Sequence, residues 1–352
     1  MSIDAVIDAA AHPTFPTGDE IRVYMPRAWR DRSFPGAERY QYGPPKGEYR
    51  ADLAAADTPG SEPADFVRDL VEAHGIGQVV LLPLTRGLLA NIDLASVICQ
   101  ATNDWLAERW LDDERFRGSI RVNPADPDAA VREIERWTGD ARFVQVAVPL
   151  QSHSPYGQRR FRQIWETAAA ANLPVAIHAD GGASVEFHAT AAGPIRYALE
   201  YNVLLPLNLA YHLASFIAEG VFERLPELRI VCADGGVSAL TPIVWRLDKD
   251  WRSTRDEIPW TRRFPSEYLR RNVRFFLHRD DLPRDVESAD AWWEAAHGGE
   301  MLLYASNYPH SDFLSPDAAR AHFDTDAAQR LLSQNAADLY DFGAVALLGD
   351  SR

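Results

Sequence analysis

The sequence predicts one (β/α)₈ barrel covering residues 1–352, and three observations point to it. Short apolar runs alternate with amphipathic helical runs along the whole chain. Eight of the apolar runs have strand character. Two long segments leave strand ends on what would be a single face of the barrel, residues 13–64 and 179–227.

The strands are expected near 3–10, 77–82, 118–122, 142–148, 174–178, 228–233, 273–277 and 301–305. Runs such as GQVVLLP, FVQVAV and LRIVCA are apolar without alternation, which suits a parallel sheet covered on both faces. Between them, residues 91–110 repeat apolar side chains at helical spacing. ADPDAAVREIERW follows an Asn-Pro turn and opens on acidic residues, as a helix N-terminus does, and FRQIWETAAAAN is a further helical run. The 13–64 and 179–227 segments exceed simple connections and are expected to cap the active-site mouth.

Composition narrows the function classes. The net charge of −15 argues against nucleic acid or an anionic membrane surface as partner. No apolar run approaches the roughly 20 residues that span a bilayer. The N-terminus lacks the basic and apolar regions of a secretory signal. Cys99 and Cys232 lie in apolar stretches and read as buried, reduced thiols, so a cytoplasmic location is expected.

Four places carry candidate chemistry. IDAAAHP ends a strand on His12, with Asp8 and Ala10 expected on the same face by alternation. LPVAIHADGG ends a strand on His178, where imidazole can ligate a metal or move a proton. LRIVCADGG places Asp234 after an apolar run, as a candidate acid or base or as a helix cap. LLYASNYPHSDF places Asn307 after the last strand, with His310 and Asp312 just beyond.

These four motifs, in this order, resemble the amidohydrolase-related family of metal-dependent hydrolases and nonoxidative decarboxylases. IRVYMPRAWRDR, GVFERLPELRIV, WRLDKDWR, FPSEYLRRNV and NAADLYDF extend the resemblance over nearly the whole chain. The resemblance implies a (β/α)₈ barrel, a small-molecule substrate and a homodimer. It also implies a metal site, and here the sequence departs from the pattern. The first ligand of strand 1 is replaced by Ala10, the aspartate of strand 8 by Asn307, the residue before Gly-Gly on strand 6 is Asp234, and the segment after strand 7 reads His278-Arg279-Asp280-Asp281. His12 and His178 remain, whereas a catalytic zinc normally keeps three protein ligands.

The expectation is therefore an enzyme without a tightly bound catalytic metal. His12, His178, His310, Asn307 and Asp234 would form its acid/base set, acting as a lyase, decarboxylase, cyclase or isomerase on an aromatic or carboxylated small molecule. Arg22, Arg27, His278 and Arg279 are the candidate substrate-binding residues, the arginines for a carboxylate. Two alternatives stay open. One is a conventional metal-dependent hydrolase or decarboxylase in which His12, His178 and Asn307 hold Zn, Mn or Fe. The other is a degenerate barrel that only binds a small molecule or a partner.

Overall fold

The computed structural model describes residues 5–31, 49–53, 58–84, 89, 91–179, 196–204, 206–233, 236–283 and 285–342. Eight parallel strands form one sheet in sequence order: β1 Val6–Ala11, β2 Ile76–Leu81, β3 Phe116–Arg121, β4 Phe143–Pro149, β5 Val175–His178, β6 Ile230–Cys232, β7 Val273–Leu277 and β8 Leu302–Tyr304. The last edge meets the first just beyond β8. Ala11 bridges Tyr308, and the His12 N–H donates to the Tyr308 carbonyl at 2.8 Å. The chain is a (β/α)₈ barrel.

The expected strands and helices appear with shifted ends. The helix in 91–110 runs Ile92–Arg109, started by the Asn91 side chain accepting from the Leu94 N–H at 3.1 Å. The helix Pro127–Trp137 is capped by Asp126, which accepts from the Ala129 N–H at 3.0 Å. FRQIWETAAAAN forms the helix Arg162–Ala170. Both cysteines are buried. Among the described residues no helix is long and apolar enough to cross a membrane.

Two hydrophobic clusters follow from strand alternation. Phe116, Ile120, Ile177, Cys232 and Leu302 pack outward under the helices. Ala176, Val231, Ala233, Leu303 and Ala305 pack inside the barrel. The barrel floor also holds a short polar chain. The Tyr340 hydroxyl donates to the Gln145 amide oxygen (3.0 Å), the Gln145 amide donates to Ser119 Oγ (2.8 Å), and Ser119 donates to the Leu81 carbonyl (2.8 Å). Each of these buried polar groups thus finds a partner.

One local expectation fails. Asp8, Ala10 and His12 do not share a simple alternating face, because the β1–β2 register shifts between Asp8 and Ala11. Ala10 packs with Ile7 and Ala9 inside the barrel, while Ala11 packs outward. Asp8 Oδ1 instead accepts the N–H groups of Ala10 (3.1 Å) and Ser306 (2.8 Å), tying β1 to the end of β8. Burial pushes the Asp8 carboxyl up to about 7.

The described parts of the segment after β1 return to this seam. Tyr49 bridges His310, and the Arg50 N–H donates to the Pro309 carbonyl at 3.0 Å. Gly60, at φ +79°, carries the Thr14–Gly60 backbone bond (2.9 Å). A Cβ there would lie 2.9 Å from Pro309 Cγ, so close approach and positive φ both require glycine.

Candidate active site

The site lies at the C-terminal ends of the strands. β1 delivers His12, β5 delivers His178, and the turn after β8 delivers Asn307 and His310. The His12 ring lies 4.8 Å from the His178 ring and 5.2 Å from the His310 ring, centroid to centroid. Three imidazoles from three places in the chain thus lie together.

Their protons can be assigned from their partners. His12 Nδ1 faces the Leu82 carbonyl at 3.0 Å, so it carries hydrogen and donates. The His12 ring also has a side-chain hydrogen bond with Asn307. Asn307 has φ 56°, and its amide NH₂ donates to both Asp312 carboxylate oxygens at 2.7 Å. The charge on Asp312 therefore fixes which end of the amide is nitrogen. The Asn307 oxygen then accepts from His310 Nδ1 at 3.2 Å, and His310 Nε2 is left basic.

All three rings are held neutral. Burial, then the neighbouring His310, holds His12 down to about 3 from 6.5. Burial holds His310 down to about 4. His178 is lowered well below 6.5, first by burial, then by His12 and Arg121. At neutral pH the site holds neutral imidazoles, and the same burial lowers their affinity for a proton.

The remaining expected residues divide. His278 reaches the site's margin. Its Nε2 donates to the Ala233 carbonyl at 3.1 Å, and Nδ1 stands 3.9 Å from Asp312. Arg279 follows on a short 3₁₀ turn and is exposed. The structure does not bring Arg22 or Arg27 to the histidines. Arg22 donates to the Arg30 carbonyl (3.1 Å) and lies 3.6 Å from Asp19, and the 95% exposed Arg27 side chain faces Asp31 at 4.0 Å. Each arginine has an acidic neighbour about one helical turn away. Asp234 lies outside the described residues.

Sequence reading missed Arg121. It ends β3 and is 1% exposed. Its signal was present: Arg117, Ser119 and Arg121 are the polar residues of one strand face, while Phe116 and Ile120 pack outward.

Residues 7–342 match the profile of the amidohydrolase family. The chain belongs to that family. Among curated proteins, this amidohydrolase is 26% identical over 262 residues to a gamma-resorcylate decarboxylase from Polaromonas sp. JS666, covering 68% of this chain and 75% of the relative. Among solved structures, an amidohydrolase from Mycobacterium avium subsp. paratuberculosis K-10 superposes with TM-score 0.74 at 22% identity, covering 97% of this chain and 98% of that one. A dihydroxybenzoic acid decarboxylase from Polaromonas sp. JS666, solved with manganese and 2-nitroresorcinol, gives TM-score 0.68 at 18% identity, covering 99% and 100%. These likenesses establish the barrel.

The donor set of this amidohydrolase is short for a metal. Among the described residues no group of three or more His, Cys, Asp or Glu side chains could hold an ion. Ala10 offers no donor atom, and the Asn307 oxygen is engaged by His310. The residues described do not fit a tight divalent site.

Proposed function

We propose that this protein decarboxylates a small hydroxylated aromatic acid by proton transfer among its mouth imidazoles, without a tightly held catalytic metal. The observation that carries this reading is the cluster of His12, His178 and His310, buried, neutral and bordered by neutral side chains where a metal's anionic ligands would stand. The decarboxylase relative supports the reaction class.

For an acid bearing a hydroxyl next to its carboxylate, the chemistry balances without any added reagent. A neutral imidazole takes the hydroxyl proton and delivers it to the ring carbon that bears the carboxylate. The bond from that carbon to the carboxylate breaks and carbon dioxide leaves. The bonding pair restores the aromatic ring, and the product is the phenolate. General acid–base transfer of this kind contributes roughly 10²–10⁴ in rate. His310 Nε2 is the nitrogen that the hydrogen bonds leave for it. Asp234 remains a sequence candidate for a further base.

A second reading is favoured by the manganese in the Polaromonas decarboxylase structure. His12, His178 and Asn307 would then hold the ion, supplying a Lewis acid for the carboxylate. One experiment separates the two. Purified protein is assayed for carbon dioxide release from 2,6-dihydroxybenzoate and related acids, before and after exhaustive chelation, with elemental analysis alongside. Release that survives chelation is expected. About one manganese per chain, with release abolished by its removal, would replace the first reading with the second. The double variant Ala10→Asp/Asn307→Asp should gain metal content under the first reading without gaining rate.

A further inference from the structure

Arg229 and Arg274 stand at the end of the barrel opposite the histidines. Arg229 immediately precedes β6, and Arg274 is the second residue of β7. Their neighbours fix which way they face. Ile230, Val273 and Phe275 pack outward under the helices, whereas Val231 and Phe276 pack inside the barrel. Alternation therefore turns Arg229 and Arg274 inward on two adjacent strands. The helix Asn335–Tyr340 closes this end, with Ala336 and Tyr340 packed among the inside side chains. Between that helix and the two strands lies a cavity of about 480 Å³, walled by Arg229, Arg274, Asp338 and Asp341 among others.

Neither guanidinium is spent on a carboxylate. Arg229 donates from Nη1 to the Pro226 and Leu228 carbonyls, at 3.0 and 3.3 Å. Arg274 donates from Nη1 to the Arg270 and Val273 carbonyls, at 3.2 and 2.8 Å. Among the described residues the Nε–Nη2 edge of each has no partner, and that edge is the one that grips an oxyanion with two parallel bonds. The acids of the cavity are engaged or wet. Glu300 accepts from Arg270 Nε at 2.7 Å, Asp338 lies 3.6 Å from Arg330, and Glu227 and Asp341 are exposed. The two half-buried cations also oppose each other. Burial, then Arg229, holds Arg274 down to about 10.

We infer that this cavity is a second binding site, taking a small molecule through a phosphate or carboxylate group held between the Nε–Nη2 edges of Arg229 and Arg274. The exposed acids at its rim restrict the ligand to a compact head group, because they repel an extended polyanion. An anion seated there bridges β6 and β7 and relieves the repulsion between the arginines. It binds at the face of the barrel that serves stability rather than chemistry, so its effect is to stabilise the folded chain.

Calorimetry on the full chain tests this, with inorganic phosphate, malonate and chloride at constant ionic strength. The wild type should bind about one phosphate or malonate per chain and show no comparable heat with chloride. The tighter of the two tells which oxyanion the fork reads. Arg229→Gln and Arg274→Met should each weaken that binding by about 10- to 100-fold, the range for losing a hydrogen bond to a charged group. The rise in melting temperature that the anion gives the wild type should vanish in both. His310→Asn, at the other end of the barrel, should bind the anion as the wild type does. Unchanged binding in a folded arginine variant overturns the site, and so does loss of binding in His310→Asn alone. If both arginine variants fail to fold, a wild type that binds neither phosphate nor malonate overturns it, and binding retained in His310→Asn supports it.

Discussion

His212 and the His12–His178–His310 cluster are both taken out of water, and burial lowers the proton affinity of both. They differ in what the ring nitrogens do. His212 stacks on Tyr156, with centroids 4.3 Å apart and planes 19° apart. Its Nδ1 accepts the Tyr156 N–H at 3.2 Å, and its Nε2 donates to the Leu150 carbonyl at 2.7 Å. Every hydrogen-bonding position of that ring is used by backbone, so its work is to join the helix Leu207–Ala218 to the exit of β4. In the cluster, one nitrogen of His310 is committed to Asn307 and the other faces the neighbouring rings. A buried histidine satisfied on both sides is a fastener. One satisfied on one side is a reagent held in orientation.

Substitution should separate the two kinds most sharply in rate. His310→Asn is expected to lower the rate of carbon dioxide release by roughly 10²–10⁴, the share of general acid–base transfer, with the melting temperature nearly unchanged. His212→Gln is expected to do the reverse, sparing kcat while loosening the fold. Equal kinetic damage from both would erase the distinction.

Acid should reveal the fastener next. Burial lowers His212 from 6.5 to about 4, so the unfolded chain takes up the proton first as pH falls. Its share of stability is whole above pH 6.5 and drains away between there and pH 4. Between pH 7 and pH 5 that share amounts to about 2 kcal/mol. Urea unfolding at those two pH values should show a fall in the wild type larger than in His212→Gln by about this amount. An identical fall in both proteins would mean the ring does not titrate with folding.

Much of this was legible before any coordinates. The eight strands follow from apolar runs that need no alternation in a sheet covered on both faces, and the helix entries follow from Asp126 and its neighbours. His12, His178, Asn307 and His310 stood out because polar side chains ended apolar strands. The register shift after Asp8 was not legible, because it depends on where β2 and β8 pair with β1. Arg22 and Arg27 lie beside nearby acids, Asp19 at 3.6 Å and Asp31 at 4.0 Å, rather than in the histidine cluster. Arg121 was overlooked because arginine in a strand ordinarily marks a wet face, and a closed barrel has no wet face at that depth. His212 sat in an apolar helical run, and nothing in that run showed that both of its nitrogens would meet backbone.

The smallest effect concerns how the reagent is aimed. Asp312 accepts from the Asn307 amide nitrogen on both of its oxygens, and the Asn307 oxygen in turn accepts from His310 Nδ1. The chain of custody is carboxylate, amide, imidazole. Asp312→Asn removes the charge that decides which end of Asn307 is which. A neutral amide there can pair with Asn307 in either orientation, so His310 Nδ1 would meet an oxygen part of the time and an NH₂ group for the rest. A charge-assisted bond exchanged for a neutral one is worth about 1 kcal/mol, which predicts a loss in kcat of about fivefold. The melting temperature should barely move, since the Asp312 side chain is 32% exposed. Asn307→Ala in the Asp312→Asn background should then add less than it does in the wild type, because the two residues act on His310 in series. Additive losses in that double-mutant cycle would show that Asp312 and Asn307 reach the reaction by separate routes.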